Sequence, residues 1–224
     1  MGTDNLFHKR RAKSIKRLQR RAARRDPYAK VLIVCEGEKT EPYYFQGLRS
    51  HHDLNTANVE VCGECGSDPG DVLRYAKQRY REEKDAGDAF DKVFCIFDKD
   101  AHANYDEALN AIAQSQPRET FIAVNSVPSF EYWLLLHFTY STRPYSALPG
   151  NSAGNQVLSE LKAYLPNYEK GADNMFALLL GQLEFAKSNA ARSLRAAKEH
   201  GTDNPSTRVH ELVEFLQSIK DGPL

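Results

Sequence analysis

Three acids stand where buried strands would end: Glu36 after Val31-Leu32-Ile33-Val34-Cys35, and Asp98 with Asp100 after Val93-Phe94-Cys95-Ile96-Phe97. In an open parallel sheet, ligands bind beyond the carboxyl ends of the strands, so an acid directly after such a run lies where a site forms. A turn beginning at Asp98 lets both carboxylates of Asp98-Lys99-Asp100 reach one side. Oxygen-rich sets of this kind suit Mg²⁺ or Mn²⁺, hard cations that retain several waters. Near phosphate, such an ion neutralises charge on the transferring group and lowers the pKa of a water nucleophile. The competing explanation is that strand ends simply carry polar residues. The pairing of Glu36-Gly37 on one run with an Asp-x-Asp on another weighs against it.

Other residues are candidates to support this set. Glu38 and Glu41 flank the first strand end as ligands or proton-transfer groups, although Glu41 would also favour a helix N-terminus. Glu131 is an acid inside the apolar stretch Phe130 to Leu136 and needs a partner there, because an unpaired buried charge is costly. It is read as a metal ligand or its support, with a structural salt bridge as the competitor. His102, two residues beyond Asp100, can orient phosphate, act as an acid or ligate metal. His137 falls on a different helical face from Glu131 and reads as a packing residue. Cys62-x-x-Cys65 is half of a zinc site with no second pair at standard spacing.

The elements that must position these groups follow from apolar pattern. Val31 to Cys35 and Val93 to Phe97 are continuous apolar runs, the mark of strands buried on both faces. Asn58 to Cys62 is a weaker strand, and Thr120 to Val124 another, ended by Asn125-Ser126. Helices are expected from a Thr40 cap, from Pro69 to Ala86, from Tyr105 to Gln114 and from Phe130 to Phe138. Strands alternating with helices predict an α/β fold with a parallel sheet covered on both faces. Beyond Arg143 the strand signal fades. Helices are expected over 154–164, 174–199 and 206–219, the last capped by Ser206. The chain thus divides into a basic arm (1–26), an α/β core (27–143) and a helical extension packed on it (144–224).

Net charge is zero over 224 residues, but it is unevenly spread. Residues 1–26 carry ten Lys or Arg against two Asp, a balance of +8, leaving 20 basic against 28 acidic residues elsewhere. Lys9, Arg10, Arg11, Lys13, Lys16, Arg17, Arg20, Arg21, Arg24 and Arg25 form an arm able to neutralise several phosphates of DNA or RNA without reading sequence. An acidic protein partner is the alternative for the same charges. There is no apolar run of membrane-spanning length and no apolar stretch after the basic N-terminus, so a membrane or secreted location is not expected. Cysteines inside apolar runs agree with a reducing cytoplasm. Neither a Gly-x-Gly-x-x-Gly nor a Gly-x-x-x-x-Gly-Lys-Ser/Thr loop occurs.

The order strand-Glu36-Gly37, then strand-Asp98-x-Asp100, resembles the Toprim fold of topoisomerases, primases and overcoming-lysogenization-defect nucleases. That likeness implies a general acid or base, or a metal-ligand, role for Glu36, and metal binding by the Asp pair. A closer resemblance is to the RloB-like family of prokaryotic proteins associated with restriction and phage-defence loci. It rests on the Arg-rich arm, Cys35-Glu36-Gly37-Glu38-Lys39-Thr40-Glu41 with Tyr44-Phe45, and Asp98-Lys99-Asp100-Ala101-His102. Pro128-Ser129-Phe130-Glu131-Tyr132-Trp133 with His137-Phe138, and Asn204-Pro205-Ser206-Thr207, complete the set. Val127 departs from it, standing where Asn is expected. The resemblance implies a Toprim-like sheet and a metal-dependent nuclease of a defence system, cleaving DNA or RNA, tRNA included, with a defence-system protein partner. The alternative it leaves is a catalytically silent nucleic-acid or nucleotide-binding component of a defence complex.

Overall fold

The computed structural model describes residues 25–63, 65, 66, 68–99 and 102–222. Four strands, β1 (Val31–Cys35), β2 (Val59–Cys62), β3 (Lys92–Asp98) and β4 (Phe121–Val127), run parallel, and a two-residue β5 (Ser206–Thr207) joins antiparallel. The sheet order is β2-β1-β3-β4-β5. All five residues of β1 are buried, and their period of two divides them between the two faces. Val31, Ile33 and Cys35 enter one apolar cluster with Phe94 and Ile96 of β3, while Leu32 and Val34 enter the other with Val93, Cys95 and Phe97. This doubly buried arrangement is what the continuous apolar runs predict.

Each face is covered by helices. On one side lie α1 (Thr40–His51), α4 (Phe130–Leu135), α5 (Ala153–Tyr164), α6 (Met175–Leu179), α7 (Leu183–Glu199) and α8 (Val209–Ser218). On the other lie α2 (Pro69–Asp85) and α3 (Tyr105–Ala113). Buried residues of the C-terminal helices, among them Val157, Leu161, Leu183 and Leu212, belong to the same cluster as Val31 and Trp133. The segment after Arg143 therefore closes one face of the sheet and adds its edge strand. From β1 the chain moves outward to β2, then returns past β1 to β3 and β4. The strand order reverses between β1 and β3, so a crevice lies beyond their carboxyl ends.

Several local expectations are corrected. Thr40 does not cap α1; its hydroxyl instead accepts the Gly171 N–H at 2.9 Å. β4 does not stop at Asn125, because Asn125 and Ser126 pair with Phe97 and Asp98, and Val127 pairs with Ser206. The ladder pairs their backbone, while the Asn125 side chain donates to the Tyr105 hydroxyl at 2.6 Å and that of Ser126 meets Thr207. Ser206 is in β5, not a helix cap, and the buried hydroxyls of Thr207 and Ser126 meet at 2.9 Å. The last helix starts only at Val209. α4 ends at Leu135, after which His137 and Phe138 donate to Leu134 and Leu135, the three-residue spacing of a tightened last turn. The long helix expected over 174–199 is broken by a 3₁₀ turn at Leu180–Gln182.

Candidate active site

β1 and β3 hold Glu36 and Asp98 together through the backbone. The Glu36 N–H donates to the Ile96 carbonyl at 3.0 Å, carrying the pairing one residue past β1. The Glu36 carboxylate then turns across the strand ends. Its Oε2 accepts the Asp98 N–H at 3.0 Å, and its Oε1 lies 2.8 Å from His102 Nε2. Gly37 follows for a steric reason: a Cβ there would strike the carboxylate of Glu41, which folds back over the turn from the first turn of α1.

Glu131 arrives from a third element. It stands in the first turn of α4 and is 2% exposed. Its Oε2 accepts from Ser129 Oγ at 2.8 Å, while Oε1 receives Lys170 Nζ at 3.1 Å and the Tyr168 hydroxyl at 3.3 Å. Asp98 also approaches α4, where the Phe130 N–H favours its charged form. A cavity of about 340 Å³ results, with Glu38, Lys39, Glu41, Asp98, Glu131 and Lys170 among its lining.

The electrostatics are those of crowded carboxylates. Burial, then the charges of Glu41, Glu131 and Glu36, pushes the Asp98 carboxyl well above its usual range, against the opposing pull of the Phe130 N–H. Burial and the charges of Glu131 and Glu36 push Glu41 to about 7. Desolvation works against the Lys170 ammonium, yet Glu131, Asp98 and Glu41 outweigh it and hold its pKa above the ordinary lysine value. Like charges sharing a dry site disfavour mutual ionisation. A divalent cation would relieve that repulsion, and hard carboxylate oxygens are the donors that Mg²⁺ and Mn²⁺ prefer. Among the described residues, no three His, Cys, Asp or Glu side chains form a ready-made metal cage. Mg²⁺ commonly binds through one or two carboxylates and completes its shell with water and substrate, so this donor set fits it.

Of the residues read from sequence, Glu36, Asp98, His102 and Glu131 meet at this crevice, with Glu38 on its exposed rim. Asp100 and the arm residues Lys9 to Arg24 lie outside the described residues. Arg25 is described, and its guanidinium pairs with Asp88 at 2.5 Å, at the amino ends of the strands. His137 is 1% exposed, packs its ring on Trp133 at 4.9 Å and stays out of the crevice. Cys62 and Cys65 are free thiols, the latter donating to the Cys35 carbonyl at 2.8 Å. Lys170 and Tyr168 join the site without any sequence signal. They come from the loose stretch 144–172, whose composition carries no sign of a site.

A protein-family model described as RloB-like protein matches residues 31–216. No curated protein and no solved structure matches the chain.

Proposed function

The chain belongs to the RloB-like protein family, and from that membership and the acidic crevice we propose that it is a divalent-metal-dependent nuclease acting in prokaryotic phage defence in the cytoplasm. The observation that carries this reading is the convergence of Glu36, Asp98, Glu41 and Glu131, from two strand ends and two helices, at the reversal of strand order. Such a concentration of carboxylates opposes folding, a cost proteins accept where a site needs it.

Asp98, with Glu131 or Glu36 as the second carboxylate, would hold Mg²⁺ or Mn²⁺, water and substrate completing the shell, and Asp100 is the further candidate ligand from the sequence. The bound ion supplies neutralisation of charge on a phosphoryl oxygen and acidification of a water. His102 and Glu36 would form the proton-handling pair: His102 Nε2 lies 2.8 Å from Glu36 Oε1, while Glu36 Oε2 is anchored by the Asp98 N–H. The basic arm would supply DNA or RNA with sequence-independent phosphate contacts.

The test uses purified full-length protein with Mg²⁺ or Mn²⁺ on plasmid, single-stranded DNA, total RNA and tRNA. Cleavage should occur on at least one substrate and fall by at least about a thousandfold in Asp98→Ala, a size ordinary for lost charge stabilisation at a reacting centre. Undiminished cleavage by a folded, metal-replete Asp98→Ala protein would remove the crevice from the mechanism. Metal-independent binding without turnover on any substrate would instead identify a binding component.

A further inference from the structure

Lys170 is, with Lys39, one of two lysines lining a cavity of carboxylates, and the needs of Glu131 do not account for it. Glu131 already accepts from Ser129 Oγ and the Tyr168 hydroxyl. The Lys170 side chain is 65% exposed while that of Glu131 is 3% exposed, so the ammonium reaches the buried acid from the solvent side. Its backbone is fixed independently. Gly171 has φ +83°, a conformation that favours glycine, and donates its N–H to Thr40 Oγ1 in the first turn of α1. A Cβ on Gly171 would come within 3.0 Å of the Lys39 side chain. Lys170 is thus held beside the turn that carries Glu41.

Its position is also at a junction. Gly171, which lines the cavity with Lys170, also lines a groove of about 650 Å³ running along Tyr43, Gln46 and Ser50 of α1. A phosphate coming along that groove, which Arg49 and Asp173 also line, would reach Lys170 where the groove meets the cavity at Gly171. Without Lys170, an anionic substrate would face Glu38, Glu41, Asp98 and Glu131 with Lys39 as the remaining lysine of the lining.

We propose that Lys170 is the phosphate-binding cation of this site: it rests on Glu131 and swings to a non-bridging oxygen of a nucleic-acid phosphate arriving along α1, leaving Glu131 to the metal ion. This rests on the nuclease reading and adds to it the residue that receives the substrate. An ammonium on a flexible stem suits the exchange, since it offers three donors without fixed geometry.

The experiment compares full-length wild type, Lys170→Met, Lys170→Gln and Lys170→Arg. Mn²⁺ alone is titrated calorimetrically, and binding of a fluorescein-labelled single-stranded oligonucleotide, in DNA and RNA forms, is followed by anisotropy with Ca²⁺ present across a salt series. Lys170→Met and Lys170→Gln should bind the oligonucleotide about tenfold more weakly, as for loss of a charged hydrogen bond. Their plot of log affinity against log salt should be shallower by about 0.7, the value for one neutralised phosphate on a single strand. Mn²⁺ affinity should be unchanged or tighter, and Lys170→Arg should restore both affinity and slope. An unchanged slope in a folded Lys170→Met or Lys170→Gln protein overturns the proposal, as does a parallel loss of Mn²⁺ affinity, the mark of a residue that only holds Glu131. If wild type binds neither Mn²⁺ nor oligonucleotide, the nuclease reading and this one fall together; if it binds both and the variants match it, only the role of Lys170 falls.

Discussion

Glu41, Asp98 and Glu131 face a common cavity with few charges to offset theirs, and the fold holds them there at a cost that a packed apolar core must cover. His137 shows the opposite use of burial in the same region. It follows α4, its Nδ1 stands 3.1 Å from the Trp133 carbonyl, and its Nε2 is buried with no hydrogen-bond partner among the described residues. Desolvation lowers its pKa from 6.5 to about 4, despite the Trp133 and Leu134 carbonyls. The folded state therefore resists protonation that the unfolded chain accepts. Its contribution is fully present above pH 6.5 and is lost as pH falls towards 4. One pKa unit corresponds to about 1.4 kcal/mol, so the loss by pH 4 is roughly 3 kcal/mol. His137→Leu should therefore gain on wild type by about that amount between pH 7 and pH 4, measured by urea unfolding at a series of pH values. A constant difference between the two proteins would show that His137 is not kept neutral by the fold.

At the scale of elements, the Glu-Gly turn after β1 couples a strand to a helix through side-chain space. Gly37 leaves room for the Glu41 carboxylate, so the glycine and the first turn of α1 act as one unit. In Gly37→Ala the far end of a flexible side chain can move aside, and the fold should survive with a small change in melting temperature. The displaced carboxylate would no longer face Asp98, and Mn²⁺ affinity should fall about tenfold or more, as when supports of metal ligands are removed. Calorimetric titration checks this, and wild-type affinity would show that Glu41 is not needed. The turn is legible in sequence as a strand followed by an acid and a glycine, but the reason for the glycine is not, because Glu41 also suits a helix start. β5 shows the same limit. Two residues carry no periodicity, and Asn204-Pro205-Ser206-Thr207 reads as a helix start until β4 is in place to pair with it.

Across the whole molecule the acids and the first described residues lie at opposite ends of the sheet. The acids stand beyond the carboxyl ends of β1 and β3, and Arg25 and Asp26 lie at the amino ends. A five-residue strand at about 3.3 Å per residue puts those ends some 16 Å apart. The junction is well secured. Arg25 pairs with Asp88, and buried Lys30 pairs with Glu83 at 2.6 Å and Asp88 at 2.8 Å. Asp26 exchanges backbone bonds with the side chain of fully buried Asn58. The sequence boundary at residue 26 thus cuts two residues into the fold. Deletion of residues 1–24 should make nucleic-acid binding less salt-dependent, by about 0.7 to 0.9 in slope for each phosphate no longer neutralised. Deletion of residues 1–26 should in addition cost about 1–3 kcal/mol, because Asn58 and Asp88 lose partners. Identical melting of the two truncated proteins would contradict this account of the junction.

What the sequence determined by itself was the sheet and the location of its acids: continuous apolar runs read as strands buried on both faces, their alternation with helices makes the sheet parallel, and Glu36 and Asp98 end two such runs. What only the tertiary structure decided was which residues meet them. Whether Glu41, Glu131 and Lys170 share one cavity depends on the register of β1 with β3 and on the packing of α1, α4 and the loop before α6. Contacts between residues so far apart in the chain leave no local period to read, because the spacing that brings them together exists only in the packed fold.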